Sequence, residues 1–528
     1  MSGKRHELVS VGMFLTFFLT GSLLYAQLWP SRHHDPVNSS STTVELSDSL
    51  EPWWTGPTCN NQPIVFDANV TGLWCSCTVA NQYVLDAWSG AVLLTLPHSV
   101  REAAVSEESD ILLTWDGGAF FAYDLLNGQF TQVASFALGF GNEARITPRA
   151  SDFFILGRGG DVYPLAARIS SWRDNNGLAS ARAEWVWRGA DAGLSVFTTR
   201  YGAASGSRFY LSLLGGLGRI GGVAALDTNT GRLVWSDLAA NRMAGGVSVD
   251  EAGGRVFAAL QDTVQISKQK SYNVYYVRVY DNAEPPHTLR DLPTDRLCFG
   301  PPAFGTVGAT PAFFVATGGG SVYAWNRDNL DELLWSCAFP ISSLAPPAYA
   351  GGKLYVTADN GQLRVLDAAT GTLLRTYDAG GLWGGSEMPA IARVPDADNY
   401  ALRSVICFRG SDLRMRVWGA PNEGPPPPPP PVPYVLQISA APNLVPLGST
   451  SHITATLTQG GAAVSGAQIS FSCSAGRNQG FVAPLSALTD VNGQAVTTYF
   501  SGSRTGVVTV TASCPLTDPV SVAIEVIK

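Results

Sequence analysis

The sequence predicts an all-β chain in which a β-propeller, a proline-rich linker and a β-sandwich follow one another. Three observations predict it. A strand–turn–strand element recurs through the middle of the chain at intervals of about 40–50 residues, the period of propeller blades. Pro425 to Pro431 are seven consecutive prolines. Beyond them, residues 434–528 alternate apolar and polar positions in short runs between turn residues, which is typical of a β-sandwich.

Composition sets the class of protein before any motif is considered. The chain has 528 residues, of which 45% are hydrophobic and 14% are charged, so it is neither a coiled coil nor a disordered chain. Its length requires more than one domain. The formal net charge is -8 and Lys and Arg do not cluster, so nucleic acid is excluded as a predicted partner.

The N-terminal segment, residues 1–26, predicts export. Lys4 and Arg5 precede an apolar run from Leu8 to Ala26, which is the pattern of a signal peptide or of an uncleaved signal anchor. Both alternatives place the remaining chain in the secreted or cell-surface compartment, and membrane contact is expected only through this segment if it is uncleaved. Residues 27–57 are predicted to form a Ser/Thr-rich stem. Asn38 and Asn69 are glycosylation candidates.

An even number of cysteines fits an oxidising compartment, where disulfides persist. The eight are Cys59, Cys75, Cys77, Cys298, Cys337, Cys407, Cys473 and Cys514. Cys75 and Cys77 are two residues apart in a predicted strand, so their thiols share a face and could bind a soft metal. Separate structural disulfides are the favoured interpretation.

The recurring element has an aspartate, three residues, a glycine, and an apolar or aromatic position four residues later. Its members are Asp86 with Gly90, Asp124 with Gly128, Asp227 with Gly231 and Trp235, and Asp367 with Gly371. Aspartate accepts hydrogen bonds from backbone amides two residues on, and glycine supplies the positive φ that closes a turn. Because the acids recur at one place in each repeat, we predict that they form turns and do not catalyse a reaction.

The repeats predict a propeller over residues 58–419. Eight blades are favoured, with the last one completed by an N-terminal strand, and seven are the alternative. Closure of the ring would remove the exposed sheet edges that an open strand array presents.

One turn carries a family resemblance. The stretch from Ala225 to Trp235, Ala-Leu-Asp-Thr-Asn-Thr-Gly-Arg-Leu-Val-Trp, resembles the tryptophan-docking turn of the pyrroloquinoline-quinone (PQQ) type propellers. In that superfamily the tryptophan packs between neighbouring blades. Its members include calcium- and quinone-dependent alcohol and glucose dehydrogenases, and also non-catalytic assembly and binding propellers. Trp54 and Trp185 fall outside the docking position and are expected in the core or on a propeller face.

The motifs favour binding over catalysis. The alcohol-oxidising quinoproteins hold their cofactor beside a disulfide between adjacent cysteines, and this sequence has no Cys-Cys pair. It also lacks a nucleophile elbow and a His-Glu-x-x-His pattern. We therefore predict no catalytic, cofactor-binding or metal-binding residues, and a non-enzymatic binding or adhesion protein for a protein or carbohydrate partner. The alternative is an oxidoreductase of alcohols or sugars that uses PQQ and calcium.

Residues 420–433 are predicted to form an extended polyproline linker. In the sandwich that follows, alternation places Cys473 and Cys514 on inward faces, which predicts a disulfide across the two sheets worth about 3–4 kcal/mol. The stretches beginning at Val464, Leu488 and Arg504 resemble the bacterial Ig-like repeats of invasin and intimin adhesins. That resemblance implies an extracellular stalk or a second contact.

Overall fold

The computed structural model describes residues 35, 39–59, 64–70, 73–106, 108–126, 130–141, 144–157, 163–192, 198–215, 219–267, 270–283, 286–340, 344–358, 360–378, 388–395, 401–409, 412–425, 434–459, 461–476, 478–514 and 517–528. The predicted N-terminal signal, Asn38, Gly128 and the linker from Pro426 to Pro433 lie outside these residues. The chain divides into two compact units, Met1–Pro425 and Pro426–Lys528. The boundary falls inside the proline run.

The first unit consists of antiparallel four-stranded meanders. Two N-terminal strands come first, β1 (Ser41–Thr42) and β2 (Glu51–Thr58). Meander 1 contains β3 (Phe66–Val70), β4 (Leu73–Ala80), β5 (Tyr83–Asp86) and β6 (Val92–Thr95). Meander 2 contains β7 (Glu102–Ser106), β8 (Ile111–Trp115), β9 (Phe120–Asp124) and β10 (Thr131–Phe136). Meander 3 contains β11 (Ala144–Arg149), β12 (Asp152–Gly157), β13 (Ala166–Arg173) and β14 (Ala179–Trp187).

The pattern continues after a 3-10 turn at Gly189–Ala192. Meander 4 contains β15 (Thr198–Ser205), β16 (Arg208–Leu214), β17 (Ile220–Asp227) and β18 (Leu233–Ala240). Meander 5 contains β19 (Arg242–Asp250), β20 (Arg255–Ser267), β21 (Lys270–Asp281) and β22 (Thr288–Pro293). Meander 6 contains β23 (Ala303–Val307), β24 (Thr310–Ala316), β25 (Ser321–Asn326) and β26 (Leu333–Ala338).

The last two meanders recruit the N-terminal strands. Meander 7 contains β27 (Ala348–Ala350), β28 (Lys353–Thr357), β29 (Gln362–Asp367) and β30 (Leu373–Asp378), and β1 adds to its edge. Meander 8 contains β31 (Ala390–Pro395), β32 (Leu402–Arg409) and β33 (Arg414–Gly419), and its fourth strand is β2. The predicted completion of the last repeat by an N-terminal strand therefore corresponds to the pairing of β2 with β33.

Apolar clusters between successive meanders close these sheets into a ring, which is the arrangement of a β-propeller. Each of eight buried clusters joins one meander to the next. The cluster that closes the ring contains Cys59 and Met415 at meander 8 and Ala80 and Leu85 of meander 1. Burial of these side chains against the neighbouring sheet is the main stabilising contribution at each joint.

The predicted stem is shorter than expected. Residues 39–58 belong to the propeller, because the Phe304 amide donates to the Ser39 carbonyl at 2.8 Å and β1 runs parallel to β27. Val44 and Leu46 are buried in the cluster between meanders 7 and 8. The apolar side chains that interrupt the Ser/Thr-rich stretch account for the difference.

The predicted disulfides of the propeller are not formed. All the cysteines are described, and none is joined to another. Cys298, Cys337 and Cys407 lie in three different apolar clusters. Burial raises the pKa of Cys407 to about 12, and these thiols act as small apolar side chains. Of the glycosylation candidates, Asn69 lies in β3.

The C-terminal unit is a sandwich of two five-stranded sheets. In chain order its strands are β34 (Tyr434–Ala441), β35 (Leu444–Pro446), β36 (Thr450–Gln459), β37 (Ala462–Ala463), β38 (Gln468–Cys473), β39 (Gly480–Ala483), β40 (Ser486–Leu488), β41 (Gln494–Ser501), β42 (Gly506–Cys514) and β43 (Thr517–Ile527). One sheet has the order β34-β36-β41-β39, with β37 on β36, and the other has the order β35-β43-β42-β38-β40. Leu457 and Tyr499 of the first sheet and Val510 and Ile524 of the second form one core.

The predicted disulfide between Cys473 and Cys514 across the two sheets is wrong. The two residues lie on β38 and β42, which are neighbouring strands of the same sheet. Cys473 pairs with Val510, so Cys514 lies four residues farther along β42, roughly 13 Å at the rise of a strand. A disulfide requires Cα atoms within about 7 Å of each other.

Candidate interaction site

The predicted turn acids do form turns, and they do not converge. Each lies between the third and fourth strands of its own meander. Asp227 Oδ1 accepts hydrogen bonds from the amides of Asn229 at 3.0 Å and Thr230 at 2.7 Å, and Gly231 has a φ of +67°. The hydrogen bonds from the Thr230 amide and hydroxyl lower the pKa of Asp227. Asp86 and Asp367 repeat the arrangement in meanders 1 and 7.

Asp124 has a different role from the other three acids. Its side chain is fully buried, and the Arg173 guanidinium of meander 3 donates to its Oδ1 at 2.5 Å. The contact links two neighbouring meanders. Like Asp227 and Asp367, Asp124 also accepts the amide two residues on, that of Leu126, at 2.9 Å.

Tryptophans from the preceding meander pack on three of the turn glycines. A methyl group added at Gly90, Gly231 or Gly371 would lie within 2.7 Å of a ring atom of Trp54, Trp185 or Trp335, respectively. The three indole N–H groups donate to the carbonyls of Ala87 at 3.2 Å, Thr228 at 2.9 Å and Ala368 at 2.9 Å. The prediction that Trp54 and Trp185 lie outside the docking position is wrong. Each of the two lies on the fourth strand of one meander and covers the turn of the next meander. That position is the signal that would have identified them.

Trp235, the aromatic of the most complete repeat, packs elsewhere. Its ring meets Tyr280 of meander 5 edge-on, with the ring centroids 5.0 Å apart. The sequence between the third and fourth strands of meander 5 contains no glycine, and Trp235 packs on a tyrosine of the third strand.

The donor set for a calcium–quinone site is not present in the described part of the chain. No three His, Cys, Asp or Glu side chains converge there in a way that could hold a metal ion. The turn aspartates are engaged by backbone amides in separate meanders. The turn aspartates therefore do not form a shared cation site.

The most distinctive local feature is a hairpin in meander 5. β20 and β21 contain 13 and 12 residues, about twice the usual strand length. On one side β19 pairs with β20 only as far as Asp262, and on the other β22 pairs with β21 only from Tyr276. The ends of β20 and β21 beyond these residues, from Thr263 to Tyr275, project past the sheet. We call residues 263–267 and 270–275 the projecting hairpin.

One face of the projecting hairpin is apolar and exposed. Val264 pairs with Tyr272, and because side chains alternate along a strand, Val274 shares their face, while Ile266 lies beside them at a β-bulge. The exposed fractions of these side chains are Val264 38%, Ile266 68%, Tyr272 50% and Val274 40%. The other face is polar. It carries Gln265 and a hydrogen bond of 2.8 Å between the side-chain oxygens of Thr263 and Asn273.

The Thr263 amide donates to the Asn241 carbonyl and the Thr294 amide donates to the Tyr275 carbonyl, and pairing on the outer edges of the hairpin ends there. Within the described part of the chain, no further strand pairs with Val264 to Ile266 or with Lys270 to Val274. An edge of this kind offers amide and carbonyl groups to an added strand.

Buried ion pairs fix the base of the hairpin. Arg242 makes a bidentate contact with Asp262, from Nε to Oδ1 at 2.7 Å and from NH2 to Oδ2 at 3.1 Å. Its third nitrogen, NH1, donates to Asp237 Oδ1 at 2.7 Å. The hydroxyl of Tyr276 also donates to Asp262, at 2.6 Å. Four strands from two meanders, β18 to β21, are thus joined at the point where the hairpin leaves the sheet.

A second arginine extends the same network. Arg278 donates from NH1 to Asp237 Oδ2 at 2.8 Å and makes a bidentate contact with Asp291 at 2.7 and 2.6 Å. The Tyr280 hydroxyl donates to Asp237 at 2.6 Å. Burial alone would raise the pKa of Asp237 and of Asp262, but the hydrogen bonds and charges of the arginines and tyrosines hold both pKa values below the usual range. Both acids are therefore ionised at neutral pH.

The comparisons with known proteins identify repeats in the second half of the propeller. A family profile described as "Outer membrane protein assembly factor BamB" matches residues 293–412. These residues include meanders 6 and 7 and two strands of meander 8, β31 and β32, and the match supports the PQQ-type repeat that the turn sequence predicts. None of the curated proteins matches the chain.

Solved structures similar to the chain include three of different kinds. The quinohemoprotein alcohol dehydrogenase from Comamonas testosteroni is 11% identical over 78% of this chain and 83% of its own, with a TM-score of 0.49. BamB from Moraxella catarrhalis is 14% identical over 73% of this chain and 99% of its own, with a TM-score of 0.43. Sqt1 from Saccharomyces cerevisiae is 12% identical over 73% of this chain and 100% of its own, with a TM-score of 0.46.

Among the described residues, no helix has the length and apolar character needed to span a bilayer.

Proposed function

We propose that the protein is an exported binding protein that presents the projecting hairpin of its propeller to a protein partner. The observation that carries this proposal is the exposed apolar face of the hairpin, held on a rigid base of buried ion pairs. Exposed apolar side chains that line one face of a fixed element are typical of protein-binding sites. The profile match to an assembly factor supports a propeller that serves as a platform for another protein.

The hairpin sets the chemistry of the partner. Its open edges suit an extended segment that adds as a further strand, and its apolar face suits apolar residues at alternate positions of that segment. Tyr272 supplies a rigid aromatic surface, and aromatic side chains are enriched among the residues that dominate binding energy. We propose an extended, alternately apolar protein segment as the ligand.

The remaining architecture is proposed to serve this role. Each of the eight meanders would be one blade of an eight-bladed propeller, with β2 completing the last blade. The C-terminal sandwich would be an Ig-like stalk or second contact on the extracellular side. Its outer face carries stacked, exposed rings of Phe481 and Phe500, with centroids 5.1 Å apart. Such rings offer a second surface to a protein or carbohydrate.

Replacing Val264 with lysine is expected to weaken peptide binding at least about tenfold, since a charge on the apolar face must be desolvated on binding. The measurement uses a library of random twelve-residue peptides displayed on phage and selected on the full chain. Enriched peptides are synthesised, and their affinities for the native and variant chains are compared.

The matched control is Gln265→Lys, which places the same charge one residue away on the polar face of the same strand. Enriched peptides are expected to alternate apolar and polar residues and to bind the control as tightly as the native chain. Peptides that bind the Val264→Lys chain undiminished would place the interaction elsewhere. Failure to enrich any peptide would contradict the proposed ligand class.

A quinone test separates this function from the alternative oxidoreductase. After the purified chain is incubated with calcium and PQQ and then desalted, we expect no quinone absorbance to remain with the protein. We also expect no dye reduction with alcohols or sugars as substrates. Retention of the quinone together with dye reduction would establish the oxidoreductase and reject the binding protein.

A further inference from the structure

Cys75 and Cys77 bring two thiols into contact within meander 1. Their Sγ atoms are 3.4 Å apart on β4, and they face the same way because the residues are two apart in a strand. Cys77 is completely buried and Cys75 is half-buried. The pair lies at the joint between meanders 1 and 2, within the apolar cluster that contains Phe66 and Val105.

The surroundings of the pair favour a cation. Asp86 stands directly opposite Cys77 on β5, so its carboxylate shares the face of the thiols. The Ala68 carbonyl lies 3.8 Å from Cys75 Sγ. The hydrogen bond with Cys75, burial and the nearby carboxylates raise the pKa of Cys77 well above the usual range. A bound cation would reverse that effect, because a coordinating thiol loses its proton outright.

We infer that Cys75 and Cys77 form a two-thiolate site for a soft divalent metal ion. Zinc–thiolate bonds are about 2.3 Å long, so the observed sulfur separation gives an S–metal–S angle of about 95°. Widening the angle to the tetrahedral value requires the sulfurs to move apart by only about 0.4 Å. A disulfide would require the two sulfur atoms to approach to about 2.05 Å. Residues two apart on one extended strand hold their Cβ atoms farther apart than disulfide geometry allows.

Charge balance also favours this ligand. One divalent ion displaces two protons, one from each thiol, and the product is an electrically neutral dithiolate complex. A neutral complex can remain in an apolar cluster that would penalise an isolated thiolate. The two protein ligands leave coordination positions open to water or to a ligand that arrives with the ion. The site is therefore suited to taking up and releasing an ion, which distinguishes it from a closed structural centre.

The test uses the full chain, reduced and then freed of reductant, with Cd²⁺ as the probe. We expect one equivalent to bind with the ultraviolet charge-transfer absorbance of a cadmium–thiolate bond. Cys75→Ser and Cys77→Ser are each expected to weaken binding by roughly a hundredfold, because each removes one of the two protein ligands. The matched control is Cys337→Ser, which removes a half-buried thiol that lies alone in the cluster between meanders 6 and 7 and should change nothing.

Circular dichroism of each variant shows whether it is folded. If Cys77→Ser does not fold, the test remains decisive through Cys75→Ser, because that substitution alters the half-buried thiol. The proposal is overturned if the folded Cys75→Ser chain keeps both the absorbance and the native affinity. It is also overturned if the isolated native chain contains a Cys75–Cys77 disulfide, seen as a peptide two mass units lighter than the reduced form. Loss of the signal in Cys75→Ser with retention in Cys337→Ser supports it.

Discussion

Replacing Gly371 with alanine is expected to lower the free energy of unfolding by about 2–4 kcal/mol, one of the largest effects of a single added methyl group in this chain. Gly371 has a φ of +72°, which strains any residue that has a Cβ atom. The new Cβ would also lie 2.5 Å from Cε3 of Trp335. The indole has little room to retreat, because its N–H donates to Ala368 and its ring packs near Phe314.

Gly352→Ala is the matched control for that prediction. Gly352 belongs to the same meander and has a φ of +75°, but an added Cβ would meet nothing within 4 Å. We expect it to cost only about 1 kcal/mol, the backbone contribution alone. Urea unfolding of the two variants measures the difference, and equal losses would show that docking of Trp335 adds nothing. In a Trp335→Ala background the extra cost at Gly371 should disappear.

The turns were predictable from the sequence, whereas the tryptophans that cover them were not. Asp227 and Gly231 are four residues apart, and one hydrogen-bonded turn fixes both roles. Trp185 comes from the previous meander, so its contact with Gly231 depends on how two sheets pack. No periodic pattern within one repeat contains that information.

The same limit explains the error at Cys473 and Cys514. Alternation of apolar and polar residues shows that a side chain faces the core. It does not show to which of the two sheets its strand belongs. That depends on strand order, and β38 joins β42 in a sheet through pairing that spans roughly 40 residues of sequence. The stem was misjudged for a related reason, because Val44 and Leu46 are covered by strands three hundred residues later in the sequence.

The projecting hairpin was also missed, although part of its signal is local. Val264, Ile266, Tyr272 and Val274 alternate with polar residues, as in any half-buried strand. Only the folded structure shows that the neighbouring strands end before these residues and that the apolar side chains stay exposed. The ion pairs at its base join strands from two meanders, so the sequence could not predict them either.

Replacing Arg242 with methionine is expected to lower the free energy of unfolding by about 3 kcal/mol at neutral pH. The change keeps most of the apolar stem but removes the charge that Asp237 and Asp262 share. The Arg242 side chain is 9% exposed, so water cannot replace its contacts without opening the joint. Arg182→Met is the matched control, because Arg182 is 68% exposed and its pair with Glu184 should contribute less than about 1 kcal/mol.

The pH dependence of this loss distinguishes lost ion pairs from lost packing. Asp237 and Asp262 have folded pKa values below the unfolded value of about 3.9, so their stabilising contribution is fully present above that pH. It is lost as the pH falls through the lower folded values, because protonation removes the charges that Arg242 compensates. The native and Arg242→Met chains should therefore differ most near neutral pH and converge below about pH 4, as measured by urea unfolding across the range. A difference that stays constant as the pH falls would instead assign Arg242 a packing role, since the loss of apolar contacts does not depend on the ionisation of the two acids.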